Sequence, residues 1–214
     1  MSRNLILAAV IVAGLGLATG AFAQAAHAPS SPGTTPTQRP HNAASETGRD
    51  VDQQQRIEQG LQSGQLNTRE AGRLEHGQQV IDKTQQRALA NGSLSASERA
   101  RIQKEQNAES QAIHGQKHDA QTGNPASRSS SRMQADMRRN QIQQQRIHNG
   151  VASGSLTHRE AGNMEGRQAR SDRQVAHAAR NGRVGRDEQG HVQRTDNRDS
   201  RSIHHAKHDR QRRH

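Results

Sequence analysis

An internal duplication restricts this chain more than any other feature. Residues 53–119 align on residues 143–209 without a gap, at a constant offset of 90. Gln53-Gln54-Gln55-Arg56-Ile57 returns as Gln143-Gln144-Gln145-Arg146-Ile147, and Arg69-Glu70-Ala71-Gly72 as Arg159-Glu160-Ala161-Gly162. Asn91-Gly92 returns as Asn181-Gly182. Ile113-His114 and Lys117-His118-Asp119 return as Ile203-His204 and Lys207-His208-Asp209. About four positions in ten are identical, so one structural unit is used twice.

A shorter pattern recurs within each copy: glycine, any residue, an aliphatic, a capping residue, two residues, glutamate. It spans Gly64 to Glu70, Gly92 to Glu98, Gly154 to Glu160 and Gly182 to Glu188. Glycine reaches the left-handed conformation that ends a helix. Asn67, Ser95 and Thr157 can accept from the free N–H groups at the start of the next helix. The glutamate three residues later reaches back to the cap's own N–H, completing a capping box. Gly185 replaces the capping side chain in the last unit, so that turn is expected to be the weakest.

Each copy therefore reads as three helices, at about residues 50–63, 68–91 and 96–119 in the first. Leu74, Ile81 and Ala88 fall at heptad spacing on the middle helix, and Ile102 and Ile113 mark the apolar side of the third. The second copy is thinner. Arg170, Ser171 and Ala179 stand where the first has Val80, Ile81 and Leu89. The first module is expected to fold marginally and the second only weakly, unless a partner or oligomer supplies surface.

Proline marks the boundaries. Pro29, Pro32, Pro36 and Pro40 lie among small polar residues in 24–45, which reads as a disordered tail. Pro125 lies in a Ser, Gly and Asn-rich stretch, 121–131, which reads as a flexible linker. The remaining segments, 46–120 and 132–214, contain no proline, which suits long helices. The expected fold is all-α: two tandem three-helix modules joined by that linker.

The N-terminus reads as a secretory signal peptide over 1–23. Arg3 precedes an apolar run from Leu5 to Ala18, and Ala21-Phe22-Ala23 offers a small-x-small site with cleavage expected after Ala23. The run is shorter than the roughly 20 residues of a membrane span. The expected location is periplasmic or extracellular, with no transmembrane span after cleavage. Phe22 is the only aromatic residue and there is no cysteine. The mature chain thus lacks the side chains that bury most area, and it has no thiolate chemistry.

The glycine turns together with the Lys-His-Asp ending resemble a family of small exported proteobacterial helical proteins of uncharacterised function. The resemblance covers residues 53–119 and 143–209. It implies a helical architecture and an envelope location, and no activity. The turns are also similar to the second half of an EF-hand loop, with Gly92 at the sharp turn and Glu98 at the bidentate position. The first and third loop positions, Arg87 and Leu89, supply no carboxylate, so the pattern is a degenerate one and calcium is not expected.

Thirteen histidines raise the question of metal. His114 and His118 lie four apart on one helical face, and His204 and His208 repeat them. Each pair can share a Zn²⁺, Cu²⁺ or Ni²⁺ ion, weakly without further ligands. No nucleophile elbow, phosphate loop, dinucleotide fingerprint or zincin motif is present, so no enzyme and no cofactor is expected.

The net charge of +11 attracts polyanions. The expected function is a non-enzymatic, stress- or envelope-associated protein that binds anionic polymers or unfolded envelope proteins. Oligomerisation would supply missing surface. The alternative is weak transition-metal sequestration through the histidine pairs. Arg210-Gln211-Arg212-Arg213-His214 adds a basic end. Without aromatics to stack on bases, no specific nucleic acid is expected.

Overall fold

The computed structural model describes residues 43–208. The expected signal peptide at 1–23, most of the expected tail and the basic end at 210–214 lie outside the described residues. Six helices follow one another: α1 Ala43–Ser63, α2 Thr68–Leu89, α3 Ala96–Lys117, α4 Arg128–Ser153, α5 His158–Ala178 and α6 Arg186–His208. No strand occurs among the described residues, and none of these helices is long and apolar enough to cross a membrane.

The turns follow the sequence pattern. Gly64, Gly92, Gly154 and Gly182 all have positive φ, from 73° to 85°. Asn67, Ser95 and Thr157 each close a capping box with Glu70, Glu98 and Glu160. The Gly185 turn keeps half of its box, because the Gly185 N–H donates to Glu188 Oε2 at 2.7 Å. Helix α4 supplies the rest: the Ser129 hydroxyl accepts from the Val184 N–H, and Arg132 donates to the Val184 carbonyl. Tertiary bonds to Val184 thus anchor the turn that lacks a side-chain cap.

Two boundaries differ from the sequence reading. Helix α1 begins at Ala43, inside the expected tail, because Ala43 and Glu46 are buried on neighbouring helices. Helix α4 begins at Arg128, inside the expected linker, because Ser127 caps it by accepting from the Ser130 N–H. The rest of that linker lies against the first turn. The Gly123 N–H donates to the Gly64 carbonyl at 2.8 Å, and a Cβ on Gly123 would fall 2.4 Å from the Leu66 carbonyl oxygen.

The three-helix order recurs, and the two triplets interlock. The closest partnership in the molecule is α2 with α5, followed by α1 with α4. Both pairs run antiparallel, and their contacts exchange under the repeat offset. Gly72 abuts Ala179, and Gly162 abuts Leu89. Adding 90 to one member and subtracting 90 from the other converts each pair into its mate. The same holds for Arg138 with Glu58 and Gly48 with His148. A pseudo-twofold axis therefore relates the repeats, and the chain is a dimer fused into one polypeptide.

This symmetry divides the interior into three layers. One apolar cluster joins Ile57, Leu61, Leu66 and Leu74 of the first repeat to Met133, Met137, Val175 and Val192 of the second. The other joins Ala43 and Leu89 to Ile147, Val151, Leu156 and Ile203. Each cluster draws on both repeats, so the small residues of the second copy do not leave it empty. Ala179 is buried where α5 crosses Gly72. A side chain at Gly72 would bring its Cβ to 2.6 Å from the Ala179 Cβ, so the glycine lets the two backbones approach. Val80, lost in the second copy, is exposed in the first.

Between the apolar ends, along residues 75–85 of α2 and their α5 equivalents, the interior is polar. Glu75, Gln78, Asp82, Gln85, Glu165, Gln168, Ser171 and Asp172 are all buried there.

Candidate anion-binding groove

The histidine pairs form as their spacing predicts. The His114 and His118 rings lie 4.2 Å apart, centroid to centroid, and those of His204 and His208 lie 4.3 Å apart. In each pair the second imidazole places Nδ1 against the carbonyl of the first, at 2.8 Å and 2.7 Å, which leaves Nε2 for other partners. All four rings are exposed. The pairs sit at opposite ends of the molecule, beside Ile113 in one apolar cluster and Ile203 in the other. They therefore cannot pool four imidazoles on one ion. Among the described residues, no three His, Cys, Asp or Glu side chains converge on a metal position. Asp119 accepts from the Gln121 N–H instead.

The two pairs differ in their surroundings. His204 and His208 border a shallow pocket with His205, Met164 and Arg167. The equivalent positions in the first repeat are Gly115, Leu74 and Gly77, so the thioether and the third imidazole belong to the second repeat alone.

A larger concavity lies elsewhere. Where α2 and α5 cross, Gly72 and Ala176 form the floor of an open groove of about 780 Å³. Arg69, Arg73 and His76 line it from α2, Arg173 and His177 from α5, and Arg180 from the turn that follows α5. Helical spacing puts 69, 73 and 76 on one face, and 173 and 177 on another. Antiparallel packing turns the two faces toward the same groove. Gln79 completes the lining, and no carboxylate belongs to it. Arg69 holds the Asn181 carbonyl at 3.4 Å. The four ion pairs among the described residues use Arg101, Arg138, Arg139 and Arg167, so the guanidinium groups of the groove pair with no carboxylate among the described residues. Guanidinium forks on two rigid helices suit carboxylate, phosphate or sulfate groups.

Beneath this surface the carboxyls of the polar layer are displaced upward by burial. Asp50 is pushed up to about 7 and Asp172 to about 8, by burial in the first place and then by neighbouring carboxylates. Glu75, Asp82 and Glu165 are raised well above the ordinary carboxylate range for the same two reasons. At the rim, burial raises Asp136 and Glu109 to about 7 and Asp196 to about 6.

Amides thread between these acids. Gln85 Nε2 donates to Asp50 Oδ2 at 2.5 Å, and Gln106 Nε2 donates to Asp50 Oδ1 at 2.7 Å. Asn140 Nδ2 reaches both Glu75 and Asp172, and the Ser171 hydroxyl donates to Asp196. The repeats trade roles here. Asp50 and Gln106 in the first become Asn140 and Asp196 in the second, so each repeat keeps one acid and one amide at these two positions.

Neither the groove nor the acid layer was evident from sequence. A signal for the second existed. Across residues 73–90 the copies agree only at Glu75, Gln78, Asp82 and Ala88. Three polar identities at helical spacing, in a stretch whose aliphatics diverged, mark a buried polar face. The groove left no such signal, because it depends on how α2 crosses α5.

No family model matches this chain, and no similar protein or solved structure was found for it.

Proposed function

We propose that this is a non-enzymatic, exported, envelope-associated protein that binds an anionic partner in the α2/α5 groove. The carrying observation is a lining of four arginines and two histidines without a carboxylate, on a chain of net charge +11. A polymer bearing repeated phosphate, sulfate or carboxylate groups fits an open groove of this kind, which does not enclose its ligand. Unfolded envelope proteins fit less well. Among the described residues, only Val80 and Ile142 are large apolar side chains exposed to solvent, so client capture would rest on charge. Location and the absence of catalysis rest on the signal-like N-terminus and the missing catalytic motifs.

Calorimetric titration with heparin or polyphosphate tests this. Binding should weaken steeply between 50 and 200 mM salt, as charge neutralisation requires. Arg73→Ala with Arg173→Ala should lower affinity at least tenfold. Equal affinity for the double variant would remove the groove from the function.

A second reading has one observation in its favour. Met164, His204, His205 and His208 around one pocket suit a soft or borderline ion such as copper better than imidazoles alone. Titration with Cu²⁺ and Zn²⁺ would then lose its strongest site on His204→Ala with His208→Ala, but not on His114→Ala with His118→Ala.

A further inference from the structure

We propose that the carboxyl layer between the repeats is a proton-operated clasp, which holds α2 on α5 while its acids are protonated and loosens the repeats when they ionise. The inference goes beyond anion binding and stands whether or not the groove takes a ligand.

The geometry carries it. Asp82 and Asp172 are exchanged by the repeat offset and face one another across the pseudo-twofold axis, each about 1% exposed. Glu75 and Glu165 lie seven residues back, about two turns along the same helices. Neither oxygen of Asp82 meets a donor from the backbone or an amide, and Glu75 Oε1 and Glu165 Oε1 are likewise without one. A buried carboxylate in that position is costly, and several together are more so. Protonation answers both problems, because a neutral carboxyl is itself a donor. Asp82, once protonated, can offer its hydrogen to Asp172.

The surrounding elements supply no central counter-charge. From α1, Asp50 faces the layer, with Glu46 and Arg49 beside it. From α3, Glu109 approaches Glu75. From α4, Asp136 comes with Arg139, and from α6, Asp196 with Asp199. Arg49 acts on Asp50, Arg139 acts on the rim acids Asp136 and Asp196, and Arg167 pairs with Asp199 at the margin. The leading charges acting on Glu75, Asp82, Glu165 and Asp172 are all other carboxyls. The layer spans the contact between the two repeats, so its repulsion acts on that contact first.

The sign follows from linkage. Carboxyls whose folded values lie above their unfolded values bind more protons in the folded chain, so their contribution is complete below the unfolded value, near 4. It is lost as pH rises through the folded values, about 7 for Asp50 and about 8 for Asp172. Each proton released in that window lowers the folding equilibrium roughly tenfold per pH unit.

The test is urea unfolding of the full chain at pH 5.5, 7.0 and 8.5, at fixed ionic strength and with a chelator present. The folding equilibrium should fall at least tenfold from pH 7.0 to 8.5, and hydrogen exchange should rise first in the middle of α2 and α5. Asp82→Asn with Asp172→Asn should flatten the pH response. Should that variant fail to fold, Glu75→Gln with Glu165→Gln reports the same loss. Stability that is level or rises from pH 7.0 to 8.5 would overturn the proposal. So would more than tenfold stabilisation at pH 8.5 by Ca²⁺ or Mn²⁺ in place of chelator, because the layer would then hold a cation instead.

Discussion

Arg69, Arg73, His76, Arg173, His177 and Arg180 surround an open groove on one half of the α2/α5 face. The positions equivalent to them on the other half are Arg159, Asn163, Gly166, Lys83, Arg87 and Ala90. That half is filled: the Gln86 amide lies over Gly166, so close that a Cβ there would meet it at 2.4 Å. The two halves share one backbone frame and one close crossing, at Gly72 and at Gly162. They differ mainly by an exchange of size, His76 with Ala176 on one side and Gly166 with Gln86 on the other. The comparison teaches that duplication supplied a symmetric scaffold with cations on both halves, and that divergence then added imidazoles and open volume to one of them.

The largest effect should come from removing the acid-for-amide compensation. Asn140→Asp takes a donor away from Glu75 and Asp172 and adds a buried carboxyl. It should cost about 3 kcal/mol at pH 8 and clearly less at pH 5, read by urea unfolding at the two pH values. An equal cost at both would mean that charge is not what the pairing manages.

Overfilling the crossings comes next. Gly72→Ala places a Cβ against Ala179, and Gly162→Ala places one 2.9 Å from the Leu89 Cβ. Each should cost about 1–3 kcal/mol in thermal or urea unfolding. Similar losses at the two sites would support the symmetric frame. A loss at one site alone would break it.

Surface charge separates the halves more finely. Lys83→Ala with Arg87→Ala, on the filled half, should change heparin affinity by less than about twofold, as expected for one half-buried and one exposed cation away from a site. Arg73→Ala with Arg173→Ala is its counterpart on the open half. Equal losses would make binding a property of net charge and not of the groove.

The smallest effect concerns the turns. Gly185→Ser would restore the side chain missing from the fourth capping box, and should add a few tenths of a kcal/mol, seen as a small rise in melting temperature. Thr157→Ala, at the intact equivalent of the Asn67 cap, should cost about 1 kcal/mol.

Local chemistry made much of the fold legible. The four glycines with positive φ, the three capping boxes and the buried heptad of Leu74, Ile81 and Ala88 follow from short-range pattern. What covers each apolar face did not follow. Periodicity shows that Leu74 needs a partner, but not that Val175 of the other repeat provides it. The reading of two tandem three-helix modules joined by a linker holds for the all-helical order, but did not extend to the interlocking. The histidine pairs were legible as pairs, because four-residue spacing is a local property. Their separation to opposite ends was not, because it depends on the antiparallel placement of the repeats. The acid layer was missed because charged side chains on an amphipathic helix are ordinarily solvated.

The sharing of both apolar clusters between repeats also bears on how the chain reaches its native state. Ile57 and Leu61 wait for Met133, Met137 and Val192, residues that leave the ribosome, or a translocation pore, only later. Two self-sufficient bundles could each collapse on emergence. Here the first repeat stays incomplete until the second arrives, so assembly depends on contacts distant in sequence, which slow the search. Refolding of the full chain should therefore proceed in one step, without an early phase belonging to α1–α3 alone.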